Sequence, residues 1–261
     1  MGSNLSRVVF QPPEPSYTKD PNLIWLNTDQ SEVIPAFYVP HKDAHFTLLF
    51  SHANAEDLGY INRHFREVSK QLKVNVFAYE YSGYGMSSGQ ATEKNVYADI
   101  EAAFKYLRDI IGVPWTQIIL YGRSVGCGPS CHLASRAAVR GVVLQTPCMS
   151  IYRIPFHFRF SLPGDLFSNI DKIDKMHAPV YIIHGTRDEI VPCWHGQTLY
   201  EAFRKKGSAF EPYWVEGADH NNLEDHAGDD AFYGHFSRFL EHLKEAPISD
   251  ELQLQAETSG I

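Results

Sequence analysis

Gln117-Ile118-Ile119-Leu120-Tyr121-Gly122-Arg123-Ser124-Val125-Gly126 sets a strand-forming run directly against a turn with glycine, serine and glycine at alternate positions. A small-residue stretch of helical character follows it. Strand, Gly-x-Ser-x-Gly and helix in that order is the pattern of a nucleophile elbow, where a sharp, strained bend pushes the serine oxygen outward. The glycines let strand and helix pass close together at the bend. Ser124 is therefore the candidate nucleophile. The N–H of Val125, at a helix start, is a candidate oxyanion donor.

Outward from the elbow, short apolar runs alternate with segments of helical periodicity, the signature of a parallel sheet covered on both faces. Strands are predicted at Phe46 to Ser51, Val74 to Tyr79, Gln117 to Tyr121, Gly141 to Gln145, Val180 to His184 and Pro212 to Val215. Helices are predicted at Leu58 to Leu72, Lys94 to Ile110, Val125 to Ala137, His195 to Arg204 and Asp230 to Leu243. Leu23 to Leu26 and Val33 to Val39 read as an antiparallel edge pair across a polar turn. The fold class is α/β, an α/β-hydrolase fold with a mostly parallel central sheet and helices on both faces.

A serine hydroxyl attacks well only when an imidazole takes its proton, and a carboxylate must hold that imidazole in one tautomer. In such folds the acid and then the base follow the serine along the chain, each on a loop at the C-terminal edge of the sheet. Asp188 follows the strand Val180 to His184, and His220 follows the strand Pro212 to Val215. Glu189 is the alternative acid. Asp219, adjacent to His220, is expected to diverge from the ring, and His52 and His184 are expected to brace loops. The second oxyanion donor is expected in Ser51-His52-Ala53-Asn54-Ala55-Glu56-Asp57, at the N–H of Asn54 or of Ala55.

The 261 residues suffice for one large domain, and 44% apolar with 21% charged residues excludes a disordered or collagenous chain. A formal charge of −8 with no long basic run argues against nucleic acid as a partner. Four cysteines make no disulfide framework, and Cys127 and Cys131 share a helix face as small apolar groups. No metal and no cofactor is expected. No apolar stretch approaches the ~20 residues that span a bilayer, and no signal-like core follows Met1, so a cytosolic address with reduced thiols is expected. Met1-Gly2-Ser3-Asn4-Leu5-Ser6 fits the N-myristoylation pattern on Gly2, and one acyl chain implies reversible contact with the cytosolic membrane face. Residues 1–22 read as a proline-bearing arm, 23–246 as the catalytic domain and 247–261 as a frayed, disordered tail.

The chain resembles the membrane-associated α/β-hydrolase domain-containing protein 17 family, the protein depalmitoylases, from about Phe10 to Leu243. The resemblance is carried by Phe10-Gln11-Pro12-Pro13-Glu14-Pro15-Ser16-Tyr17, Leu49 to Gly59, Tyr81-Ser82-Gly83-Tyr84-Gly85, Tyr97-Ala98-Asp99-Ile100, Ile118 to Ser124, Ile183 to Glu189 and Trp214 to Asn221. It implies hydrolysis of S-palmitoyl thioesters on membrane-associated proteins at the cytosolic face, with nucleophile, acid and base on Ser124, Asp188 and His220. Two departures stand out. The family's N-terminal cysteine cluster has no counterpart here, where Gly2 is offered instead, and Ala53 stands where the family usually has glycine.

Between Pro147 and Ile170, where such hydrolases often insert a cap, Phe156, Phe158 and Phe160 alternate with polar residues and are candidates to cradle an acyl chain. The alternative is a stripe buried in the ordinary core. Two other functions fit the same residues: a carboxylesterase or lipase acting on oxygen esters, and a non-catalytic binding protein that kept the fold.

Overall fold

The computed structural model describes residues 9–154 and 162–259. Among the described residues eight strands form one sheet: β1 (Ile24–Asn27), β2 (Val33–Val39), β3 (Thr47–Ser51), β4 (Asn75–Tyr79), β5 (Ile118–Arg123), β6 (Gly141–Gln145), β7 (Val180–Gly185) and β8 (Tyr213–Val215). Their spatial order is β1-β2-β4-β3-β5-β6-β7-β8. β2 runs antiparallel to both β1 and β4, and the remaining neighbours are parallel.

The parallel strands read as unbroken apolar runs because both of their faces are covered. Alternate residues go to opposite layers, as the two-residue period of a strand requires. Ile118 and Leu120 of β5 join one core and Ile119 and Tyr121 the other, and Val142 and Leu144 are likewise opposed to Val143 in β6. Helices α2 (Glu93–Lys105), α3 (Cys127–Ala134) and α4 (Trp194–Lys206) cover the first face. On the second lie α1 (Leu58–Leu72) and α6 (Asp229–Glu245), with the short α5 (Leu223–Ala227) between β8 and α6.

Local signals explain the helix limits. In α1, Leu58, Ile61, Phe65, Val68 and Leu72 are buried at helical spacing, and Asp57 caps the start by accepting from the Tyr60 N–H. The expected continuous helix from Lys94 to Ile110 is instead α2 running into a π-helical turn over Tyr106–Ile111, which Gly112 ends at φ 82°.

The tail after Ala246 differs from expectation. Instead of fraying, it forms α7 (Asp250–Thr258), capped by the Ser249 hydroxyl. Leu252 is buried and the Gln255 amide donates to the Ala134 carbonyl at 3.0 Å. A polar nine-residue helix is marginal alone, and tertiary docking of one apolar side chain stabilises it here.

Candidate active site

Ser124 sits on the bend between β5 and α3 at φ 53°, a left-handed conformation that a non-glycine residue adopts at a cost of order 1 kcal/mol or more. Both flanking glycines are sterically required. A Cβ on Gly122 would come within 2.4 Å of the Gly126 carbonyl oxygen, and one on Gly126 within 2.1 Å of the Ser51 carbonyl oxygen. The expected helix start at Val125 is a 3-10 turn over Ser124–Gly126 before α3 begins.

The three residues singled out on separate loops converge. His220 Nε2 lies 2.9 Å from Ser124 Oγ, and His220 Nδ1 lies 2.7 Å from Asp188 Oδ2. An imidazole so placed can take the hydroxyl proton with one nitrogen while the other donates to the carboxylate. The loops carrying acid and base are stitched together by Arg187 N–H to Ala218 O at 2.9 Å and Gly217 N–H to Thr186 Oγ1 at 2.8 Å.

Asp188 is buried, which opposes its ionisation, but hydrogen bonds from His184 and His220, the His220 charge and the Val191 N–H outweigh that and hold its carboxyl well below the usual range. Its Oδ1 accepts from Ile190 and Val191 N–H at 3.0 and 2.8 Å. Glu189, the alternative acid, points into solvent. Asp219 diverges as expected, accepting from the N–H groups of Asn221 and Asn222 in its own turn. His184 and His52 brace loops. His184 Nε2 lies 2.8 Å from Val191 O and 3.2 Å from Asp188 Oδ2. His52 is fully buried with Nδ1 on the Ala53 carbonyl, and its Nε2 lies 2.9 Å from Glu80 Oε1, off the line of a hydrogen bond. Burial pushes the His52 pKa down, yet the Glu80 carboxylate overrides this and raises it.

The loop after β3 reaches the elbow because Ser51 pairs with Gly122 across the sheet. Ala53 cannot offer its N–H to an oxyanion, since it donates to Glu56 Oε2 at 3.0 Å. Among the described residues no acceptor meets the N–H of Asn54 or of Val125. Sequence reasoning missed the group that ties these loops together. Glu56, buried, also accepts from Arg123 Nη1 at 2.7 Å, joining the elbow to the β3 loop. Arg123 stood in the motif itself, but nothing local pointed to a partner 67 positions away.

Phe156, Phe158, Phe160 and Gly2 lie outside the described residues. The flanks of the expected cap fold onto each other through Ile151 N–H to Leu166 O and Tyr152 N–H to Asp165 Oδ1. Phe167 anchors them, buried against Gly128 of α3. Cys127 and Cys131 are buried free thiols on α3, with pKa values raised by burial. Among the described residues no helix is long and apolar enough to cross a membrane.

A serine on the strained turn after β5 of a sheet in this strand order defines an α/β-hydrolase. The profile described as Chlamydia CHLPS protein (DUF818) matches residues 35–139, and that of the prolyl oligopeptidase family matches residues 163–245. The solved structure of the Pyrococcus furiosus esterase Pf2001 is similar at a TM-score of 0.72 with 17% identity, covering 89% of this chain and 98% of that one. The human α/β-hydrolase domain-containing protein 17B is 38% identical over 96% of this chain and 92% of its own. The Caenorhabditis elegans α/β-hydrolase domain-containing protein aho-3 is 40% identical over 86% and 75%. The chain belongs to the α/β-hydrolase domain-containing protein 17 family.

Proposed function

We propose that this chain is a serine hydrolase that removes long-chain S-acyl groups, palmitoyl above all, from cysteines of membrane-associated proteins through an acyl-enzyme on Ser124. The single observation that carries the reading is the unbroken relay from Asp188 through His220 to the hydroxyl of a strained elbow serine. His220 Nε2 takes the Oγ proton as Oγ attacks the thioester carbonyl. The oxyanion is met by the N–H groups of Val125 and Asn54. Collapse breaks the carbon–sulfur bond, and the departing cysteine sulfur takes the proton from His220. Water, deprotonated by the same imidazole, then attacks the acyl-serine carbonyl, and as the carbon–oxygen bond to Ser124 breaks the imidazole returns the proton to Oγ and the fatty acid is released.

The resemblance of the flanking motifs to the family's depalmitoylases favours a thioester over an oxygen ester. The acyl chain is assigned to Phe156, Phe158 and Phe160, and myristoyl-Gly2 would bring the enzyme reversibly to the cytosolic membrane face where such substrates reside. The test compares turnover of matched palmitoyl thioester and palmitoyl oxyester by the wild type and Ser124→Ala. Preference for the thioester, abolished in the variant, is expected. Equal or better oxyester turnover would move the reading to a carboxylesterase, and failure of a fluorophosphonate to label Ser124 would move it to a binding protein.

A further inference from the structure

The side-chain amide of Asn54 is spent on distant parts of the chain. Its Nδ2 donates to the Val9 carbonyl at 2.7 Å, and its Oδ1 accepts from the Gln11 N–H at 2.9 Å and the Tyr84 hydroxyl at 2.6 Å. Within its own turn Oδ1 also meets the Ala55 N–H at 3.2 Å, which occupies the alternative oxyanion donor, but the other three partners lie 45, 43 and 30 positions away, where local sequence would not place them. Between Val9 and Gln11, Phe10 is buried and packs edge-on against Tyr84 and Phe167, with ring centroids 6.4 and 5.8 Å away. The same arm then grips the far end of the loop, where the Ser16 N–H donates to Asp57 Oδ2 at 2.6 Å.

What is clasped is strained. Ala55, next in the chain, stands at φ 57°, a conformation costing of order 1 kcal/mol or more that persists only where the surroundings hold it. The Glu56 bonds to Ala53 and Arg123 hold one side of this turn, and the arm's grip on the Asn54 side chain holds the other.

We propose that Asn54 is a positioning residue whose side chain, clasped by Val9 and Gln11 of the N-terminal arm and by Tyr84, sets its own backbone N–H in the oxyanion hole. Residues 9–11 are in consequence part of the catalytic apparatus. The inference rests on the reading of Ser124 as nucleophile. Only a group carrying donor and acceptor together satisfies both arm contacts, so alanine removes the clasp while keeping the backbone N–H, and aspartate would lose the Val9 contact.

The test measures kcat and KM of the full chain on a short-acyl p-nitrophenyl ester, for Asn54→Ala, Phe10→Ala and the milder Tyr84→Phe. Active sites are counted by exhaustive fluorophosphonate labelling. A displaced oxyanion donor lowers kcat per labelled site about 10- to 100-fold in the first two variants, with KM within about twofold of wild type. Tyr84→Phe, which loses one donor and keeps the packing, shows a smaller fall of the same kind. A purely structural role would reduce the number of labelled sites and leave turnover per site unchanged. That outcome, with Ser124→Ala inactive, would overturn this inference alone. Wild-type turnover by Ser124→Ala would overturn the proposed function with it.

Discussion

Gly126 lies so close beneath Ser51 that a Cβ on the glycine would stand 2.1 Å from the serine's carbonyl oxygen. Backbone, not a movable side chain, fills that space. Gly126→Ala must therefore separate β3 from the elbow. The expected result is a loss of about 3 kcal/mol, the upper end for overpacking, together with loss of turnover. Denaturant unfolding checks the first, and fluorophosphonate labelling the second.

Asp188 serves two imidazoles at once, 2.7 Å from His220 and 3.2 Å from His184. Asp188→Asn keeps the shape but favours the wrong His220 tautomer, and kcat should fall by about 10⁴-fold. There is a stability counterpart. Because the folded carboxyl is held below its ordinary range, its contribution is present at neutral pH and lost as acid protonates it. Thermal melts from pH 7 down to 3 should show this acid loss in the wild type and less of it in Asp188→Asn.

Glu56 joins the elbow to the β3 loop by accepting from both Arg123 and the Ala53 N–H. Arg123→Met leaves the buried carboxylate without its cation, a loss on the order of 2 to 3 kcal/mol. Arg123→Lys should recover only part of it, since lysine cannot reproduce the guanidinium's geometry. Unfolding free energies of the two variants at neutral pH test this.

Asp99 of α2 is buried, and burial pushes its carboxyl up to about 7 although the Ser82 N–H and hydroxyl both donate to it. The unfolded carboxyl ionises near 3.8, so the native state holds the proton more tightly across that interval. Stability from this site is present below the unfolded value and is lost as pH rises toward 7. Asp99→Asn removes the titration. Its melting temperature relative to wild type should climb between pH 4 and 7 and then level off.

Removing residues 248–261 deletes the buried Leu252 and the Gln255 bond to Ala134. Burial of one leucine is worth about 2 kcal/mol, so the melting temperature should drop by roughly 4 to 8 °C with kcat unchanged. A chain melting at the wild-type temperature would mean that α7 does not dock in solution.

Much of this molecule was legible along the chain because the relevant physics is local. Short apolar runs located β2 and β6, and the 3.6-residue period located α1, at their observed limits. Each of Ser124, Asp188 and His220 follows the strand that presents it, so chain order alone nominated all three. Residues whose signal lies in distant partners were not legible. Arg123 and Glu56, the Asn54 clasp and the docking of Leu252 depend on contacts that no window of sequence contains. The π-helical turn at Tyr106–Ile111 was not legible either, since no local signal in its residues separates it from the end of an α-helix. The sequence by itself determined the order of the strands and nominated the candidate reacting groups. Only tertiary structure decided which of several acids and histidines meet, because a hydrogen bond of 2.7 Å joins loops that the chain keeps 32 residues apart.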